Sequence, residues 1–263
     1  MAEKARKRRV AAEPEKDIVL VQGASRGIGA ALVREILESD ATQPVVATCR
    51  QPDASRDLAA LLERFPQRLT ILSLDVSNED SIANAAADFA NRSAQLSMLI
   101  NCAGLLHDGV LQPERRLSDI NVAKLERIFA VNAYGPLLVA KYFAQFFSRT
   151  KRCIFANLSA RVGSIEDNHL GGWYGYRGSK AAQNMFTRNL SIELKRNYRG
   201  IICVALHPGT VNTQLSSPFQ SNVAKSKLFS RARAARQLLD VMRGLSLEDN
   251  GEFFAWDGST IAW

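Results

Sequence analysis

The sequence predicts one α/β domain built on a mostly parallel, doubly wound sheet of about seven strands. Short apolar runs rich in β-branched residues alternate with helix-length amphipathic segments along the chain. A glycine-rich turn stands between the first run and the first helix. The chain has 263 residues, 46% of them hydrophobic, enough for one large core without a second domain.

The elements follow in order. Residues 17–22 read Asp-Ile-Val-Leu-Val-Gln, a buried strand. Residues 27–39 place Ile28, Leu32, Ile36 and Leu37 on one helical face. Residues 44–49 form a second strand, and Leu58, Leu61, Leu62 and Phe65 mark the helix after it. Residues 69–74 are a third strand and 80–90 an alanine-rich helix; 98–102 are a fourth strand. A long helix over 121–148 leads to a fifth strand at 153–158. A helix over 176–196, a sixth strand at 201–206, a short helix over 232–242 and a last strand at 252–256 complete the pattern. There is no internal repeat and no linker, so residues 17–263 are expected to be one domain.

Residues 1–16 are different. Lys4, Arg6, Lys7, Arg8 and Arg9 crowd the start, partly offset by Glu3, Glu13 and Glu15, in a chain of net charge +8. The simplest reading is a solvated tail; nuclear import or nucleic-acid binding would rest on this segment alone. The remainder has no basic stripe interleaved with aromatics, so nucleic acid is not an expected partner of the domain. No apolar run is long enough to span a bilayer and no signal peptide opens the chain, so the expected location is cytoplasmic. Cys49, Cys102, Cys153 and Cys203 sit in or beside apolar runs and read as buried thiols in a reducing compartment. His107, His169 and His207 have no second ligand at helical spacing, so no metal is expected.

In such a sheet, ligands bind beyond the carboxyl ends of the strands. The turn Gly23-Ala24-Ser25-Arg26-Gly27-Ile28-Gly29 lies there, ahead of a helix whose N-terminus favours an anion. Glycines allow the backbone to approach a pyrophosphate closely, and the strand–turn–helix context makes this a candidate nucleotide loop. Tyr176 and Lys180 are four apart on a predicted helix and share a face. A tyrosine of pKa near ~10 is a poor acid or base at neutral pH, and an adjacent ammonium is expected to lower that value.

The ordered set of motifs resembles the short-chain dehydrogenase/reductase family and, with it, a Rossmann-like fold. The glycine spacing at 23, 27 and 29 matches that family, as does Leu74-Asp75-Val76 after the third strand. Asn101-Cys102-Ala103-Gly104 is similar to its Asn-Asn-Ala-Gly motif, with a cysteine for one asparagine. Asn132, the Tyr-x-x-x-Lys spacing of Tyr176 and Lys180, and Pro208-Gly209-Thr210-Val211-Asn212-Thr213 complete the series. Residues 163–174 and 253–258 resemble the subgroup of C-factor-like proteins and sniffer-type carbonyl reductases.

The resemblance implies hydride transfer between a nicotinamide cofactor and a small carbonyl or alcohol. The glycine loop would hold the pyrophosphate through Gly23, Ser25, Gly27, Ile28 and Gly29. Asp75 and Val76 would meet the adenine, with Asn101, Ala103 and Gly104 beside the cofactor. Pro208, Gly209, Val211 and Thr213 would cradle the nicotinamide. Tyr176 would be the proton donor, Lys180 would hydrogen-bond the ribose, and Asn132 would hold a water leading to Lys180. The second strand ends Thr48-Cys49-Arg50 with no carboxylate to take a ribose hydroxyl. Arg26 and Arg50 suit a 2′-phosphate, so NADP(H) is favoured over NAD(H).

One departure matters. The family's substrate-orienting serine falls at Ala160, within Asn157-Leu158-Ser159-Ala160-Arg161. Either Ser159 or Ser164 could supply the hydroxyl after a local shift, or neither does, and the segment leading to Tyr176 exceeds the family norm. Two other classes of function therefore stay open: a nicotinamide-binding regulatory protein with little catalysis, and a nucleic-acid tether through the tail. Leu137, Leu138, Ala140, Phe143 and Phe147 exceed what one helical face buries. With the family's assembly mode they imply a homodimer or homotetramer.

Overall fold

The computed structural model describes residues 17–92, 94–221 and 223–263, and the basic tail at 1–16 lies outside them. Seven strands form one parallel sheet: β1 (Ile18–Gln22), β2 (Val45–Cys49), β3 (Leu69–Ser73), β4 (Leu96–Asn101), β5 (Cys153–Leu158), β6 (Ile201–His207) and β9 (Phe253–Ala255). Their order is β3-β2-β1-β4-β5-β6-β9. The first half of the chain builds outward from β1 in one direction and the second half in the other. The reversal between β1 and β4 opens a crevice at the carboxyl edge. Two short strands, β7 (Thr210–Val211) and β8 (Leu228–Phe229), pair separately.

Helices α1 (Gly27–Ser39), α2 (Arg56–Arg64) and α7 (Arg231–Gly244) cover one face of the sheet. Helices α3 (Glu79–Ala90), α5 (Gly135–Phe143) and α6 (Tyr174–Leu194) cover the other, with α4 (Val122–Phe129) against α6. Strands buried on both faces read as continuous apolar runs rather than alternating ones, and β1, β2 and β5 are buried at every position.

The single helix expected over 121–148 is divided. A π-turn over Ala130–Tyr134 separates α4 from α5, and a 3₁₀ turn over Ala144–Phe146 follows. Pro136 has no N–H to give the carbonyl of Asn132, so the ladder widens there by one residue. Gly135 is required beside it, because a Cβ would stand 2.8 Å from both Val76 Cβ and the Val76 carbonyl. Helix α6 begins at Tyr174, two residues before the expected start.

The surplus apolar residues of this region do not form an outer face. Ala140, Phe143 and Phe147 are buried in the core under the sheet, and Leu137 and Leu138 pack against it. Large exposed apolar side chains include Tyr174, Met185 and Ile192 on α6, Val122 on α4, Tyr134 in the π-turn, and Val110, Leu117, Ile165 and Leu170 in connecting segments. Among the described residues, no helix is long and apolar enough to cross a membrane. No group of three or more His, Cys, Asp or Glu is placed to hold a metal there. All four cysteines are free thiols.

Phe89 of α3 anchors the second core. Its ring lies 4.9 Å from that of Phe146 and 5.9 Å from that of Phe143, with no exposure. Replacing it with alanine should destabilise the fold by about 3–5 kcal/mol, the usual cost of emptying an aromatic site. Equilibrium urea unfolding tests this, and a loss below about 1 kcal/mol would show that the site collapses freely.

Candidate active site

The carboxyl ends of four adjacent strands present Thr48, Gln22, Asn101 and Asn157 side by side. All four are buried, and Thr48 Oγ1 and Asn101 Oδ1 have no hydrogen-bond partner among the described residues. Gln22 accepts the Ala103 N–H at 3.2 Å, which ties the loop after β4 to the end of β1. Asn101 Nδ2 donates to Asn157 Oδ1 at 2.8 Å, and Asn157 Nδ2 donates to Thr187 Oγ1 of α6 at 2.8 Å.

The glycine loop fits against this edge. Gly23 and Ala24 donate their N–H groups to the Thr48 carbonyl. Gly23 has φ +77°, and a Cβ there would stand 2.6 Å from Ala103 N. At Gly29 a Cβ would stand 2.3 Å from the Gly23 carbonyl oxygen, so the helix can close on its own loop only with glycine. Helices α2, α3, α4 and α7 are capped by Ser55, Asn78, Asn121 and Ser230. Arg26 at the start of α1 gives no such cap, and no acid lies in the first turn. The N–H groups around Gly27 and Ile28 therefore lack a side-chain acceptor, and Gly27 leaves open space with only Thr213 Cγ2 near, 3.7 Å from its Cβ position. An anion such as a pyrophosphate suits this cradle.

Arg26 and Arg50 are both exposed at its rim. Arg26 Nη1 donates to Gln214 Oε1 at 2.7 Å, spanning from the first loop to the segment after β7. The Arg50 carbonyl accepts Ser73 Oγ at 3.3 Å. Ser55 Oγ donates to the Ser25 carbonyl at 2.9 Å and so docks the loop after β2 on the glycine loop. Asp53 on that loop helps burial push the Cys49 thiol up, making it the carboxylate beside the end of β2 that motif reading overlooks.

Asp75 spends Oδ1 on the Ser77 N–H and Oγ, a turn leading into α3, while Val76 is buried beneath Gly135. Gly104 is exposed beneath Leu215, whose Cδ1 lies 3.7 Å from its Cβ position. Gly209 (φ +76°) passes under Phe229, which a Cβ would meet at 2.6 Å, and Val211 pairs with Phe229. Pro208 thus leads β6 into a strap that returns over the glycine loop at Thr213.

Asn132 occupies the π-turn and is fully buried. It accepts the Leu105 N–H at 2.7 Å and donates to the Leu105 carbonyl at 2.8 Å and to Ser179 Oγ at 3.0 Å. It clips the loop after β4 to α6 and makes no direct contact with Lys180.

Tyr176 and Lys180 face inward from α6, 7% and 2% exposed. Lys180 Nζ donates to the Leu158 carbonyl at 2.7 Å and to Gln183 Oε1 at 2.9 Å, and lies 6.0 Å from the centre of the Tyr176 ring. Burial lowers Lys180 to about 7 and raises Tyr176 to about 12. The expected depression of the tyrosine by its lysine is therefore not found. Desolvation outweighs a charge at this range that is already engaged by two acceptors.

Ser159 is buried and donates to Asn184 Oδ1 at 2.6 Å, while Ser164 Oγ donates to the Trp263 carbonyl at 3.3 Å. Each hydroxyl thus has a structural acceptor. His207 is held near 4 by burial and by Arg161, whose N–H its Nδ1 accepts, so the imidazole is neutral. Motif spacing gives no signal for Asn184, Ser55 or Glu114, which hold the site through contacts distant in sequence, or for Gln183, which holds Lys180 from one turn along α6.

The model for the short chain dehydrogenase family matches residues 17–224. Among solved structures, an NADPH-bound carbonyl reductase from chicken fatty liver superposes with a TM-score of 0.83 at 31% identity, covering 94% of this chain and 98% of its own. Carbonyl reductase Sniffer of Drosophila melanogaster gives 0.83 at 27% identity, covering 94% and 99%. C-signal of Myxococcus xanthus is 35% identical over 147 residues, 56% of this chain and 83% of its own length. A glycine cradle beside a buried Tyr–Lys pair, on this sheet order and with these relatives, makes the chain a member of the short-chain dehydrogenase/reductase family of oxidoreductases.

Proposed function

We propose that the protein is a carbonyl reductase that uses NADP(H) in the cytoplasm. The observation that carries the reading is the placement of Tyr176 and Lys180. They stand one turn apart on the buried face of α6, where Lys180 meets the carboxyl end of β5 at Leu158. The solved relatives named above are carbonyl reductases, one of them bound to NADPH, which supports the same substrate and cofactor here. The four free thiols suit a reducing compartment.

The residues divide the work. Gly23, Ser25, Gly27, Ile28 and Gly29 would hold the pyrophosphate, Arg26 and Arg50 a 2′-phosphate, and Asp75 with Val76 the adenine. Asn101, Ala103 and Gly104 would floor the crevice, with Pro208, Gly209, Val211 and Thr213 at the nicotinamide end. A bound nicotinamide supplies the hydride to the carbonyl carbon. Tyr176 Oη supplies the proton to the carbonyl oxygen; burial keeps it protonated across the physiological range. Lys180 would hold the cofactor ribose and keep positive charge near the phenol, while Asn132 fixes the loop and helix that frame them. Ser159 fastens the end of β5 to α6 through Asn184, and its hydroxyl is spent there.

Tyr176→Phe keeps the ring and should leave fold and NADPH binding intact while turnover falls by about 10²-fold or more. Lys180→Met should abolish turnover and weaken cofactor binding too. Because Lys180 titrates near 7, its ammonium is present below that pH and lost as pH rises through it. The kcat/KM for reduction should accordingly fall as pH rises through about 7. Steady-state kinetics over pH 5–9 checks both points. Wild-type turnover in Tyr176→Phe would refute the mechanism. A wild type that binds NADPH yet reduces nothing in a broad carbonyl panel would favour a regulatory role, with Ala160 as the cause.

Cofactor choice has its own test. NADPH should bind more tightly than NADH, and Arg50→Asp should reverse the order; titration by protein fluorescence measures both. Equal wild-type affinities would mean that neither arginine reads the 2′-phosphate.

A homodimer or homotetramer belongs to the same proposal, with α6 and the α4 region at the contact. Tyr174, Met185 and Ile192 expose apolar surface along α6. Light scattering at micromolar concentration should give a multiple of 29.0 kDa, and a monomer would rule the assembly out.

A further inference from the structure

Trp173, the residue before α6, has φ +51°, and among the described residues no other non-glycine adopts a left-handed φ. Gly171 and Gly172 ahead of it are left-handed as well, at +65° and +64°. A bulky side chain stays in this region only where its surroundings over-determine it. Those surroundings are supplied by one residue, Glu114, from the long loop after β4. Its carbonyl accepts the Trp173 N–H, and its Oε2 accepts the Gly175 N–H at 3.1 Å. Glu114 is 1% exposed, and its Oε1 has no hydrogen-bond partner. Gly175 has no room for a side chain, since a Cβ would lie 3.0 Å from Glu114 Oε1, Ile128 Cδ1 and Leu125 Cδ2 alike. A carboxylate fits at this helix N-terminus, where the first-turn N–H groups favour negative charge.

The consequence lies on the other side of Trp173. Its ring stands edge-on to Tyr176 at 6.2 Å and tilted against Phe219 at 4.8 Å. Phe219 meets His107 edge-on at 5.7 Å. His107 Nε2 donates to the carbonyls of Gln214 and Leu215, both at 3.1 Å, which fixes the strap that carries Phe219. Three chain segments therefore build a continuous aromatic wall ending at the Tyr176 phenol. Aromatic faces and edges select a flat π-system over a small flexible chain.

We propose that Trp173 and Phe219 are the specificity-determining wall of the site, that the compound it selects is a carbonyl attached to an aromatic ring, and that Glu114 is the positioning residue that sets Trp173. The proposal rests on the reductase reading above. Its test is the ratio of kcat/KM for benzaldehyde to that for propanal, measured on the full chain with NADPH. Wild type should favour benzaldehyde by at least about tenfold, and Trp173→Ala should reduce that ratio by about as much, chiefly through KM. Phe219→Ala should act in the same direction. Glu114→Ala should lower the ratio as well, and Glu114→Gln, which keeps an acceptor for the Gly175 N–H, should restore it. If Glu114 acts through Trp173, the double variant Glu114→Ala, Trp173→Ala has no lower ratio than Trp173→Ala alone.

Should Glu114→Ala fail to fold, Glu114→Asp, too short to reach Gly175, takes its place with the same expectation. A ratio unchanged within about twofold in Trp173→Ala overturns the wall, and multiplying effects in the double variant overturn the role of Glu114. In either case propanal reduction dependent on Tyr176 would leave the reductase reading standing. A wild type that reduces neither aldehyde overturns both.

Discussion

The candidate site depends on a buried polar seam between α6 and the carboxyl end of β5. Lys180 binds the Leu158 carbonyl and Gln183; Asn184 takes the Ser159 hydroxyl; Thr187 accepts from Asn157, which in turn accepts from Asn101 of β4. Each contact involves a group that would cost about 1–3 kcal/mol if buried without a partner. Sliding α6 along the sheet, or turning it about its axis, would break several at once. The helix is thereby held in one register, and Tyr176 is held with it. Packing of aliphatic side chains alone tolerates small shifts, whereas directional polar contacts do not, although Asn101 Oδ1 and Gln183 Nε2 stay without a protein partner among the described residues.

The seam also explains the unusual character of α6. Ser179, Lys180, Gln183, Asn184, Thr187 and Ser191 are buried, whereas Met185 and Ile192 are exposed. The buried face of α6 thus carries an unusual share of polar groups beside Leu190 and Leu194, where a surface helix ordinarily turns an apolar stripe to the core. A lysine so enclosed loses much of its preference for the charged form, and the phenol one turn away loses its tendency to ionise. The same burial that fixes the geometry thus sets the protonation states, leaving a neutral phenol beside an amine poised near neutrality.

Loops at the carboxyl edge, some from the same half of the sheet and some from opposite halves, are tied together by short polar and steric contacts. Arg26 reaches Gln214, Ser55 reaches Ser25, and Ala103 reaches Gln22. Gly23 and Gly29 allow these segments to approach to distances that any Cβ would block. The π-turn at Asn132 performs the same service on the other side, spending one irregular turn to place an amide against both Leu105 and Ser179.

Sequence alone determined the strand and helix order, the glycine loop and the Tyr176–Lys180 pair, because each rests on local chemistry. Apolar runs bury, glycines turn, and residues four apart on a helix share a face. The break in the helix after Phe129 was readable in principle from Pro136, but helical periodicity on both sides masks it. Only the tertiary structure decided what surrounds those residues. It showed Lys180 spent on Leu158 and Gln183, Ser159 and Ser164 both engaged, and Ala140, Phe143 and Phe147 buried in the core with Leu137 and Leu138 packed against it. It also brought Glu114 and Trp173, 59 positions apart in the chain, into contact. Desolvation and hydrogen-bond partners depend on residues far apart in sequence, and no local pattern encodes which of them will meet.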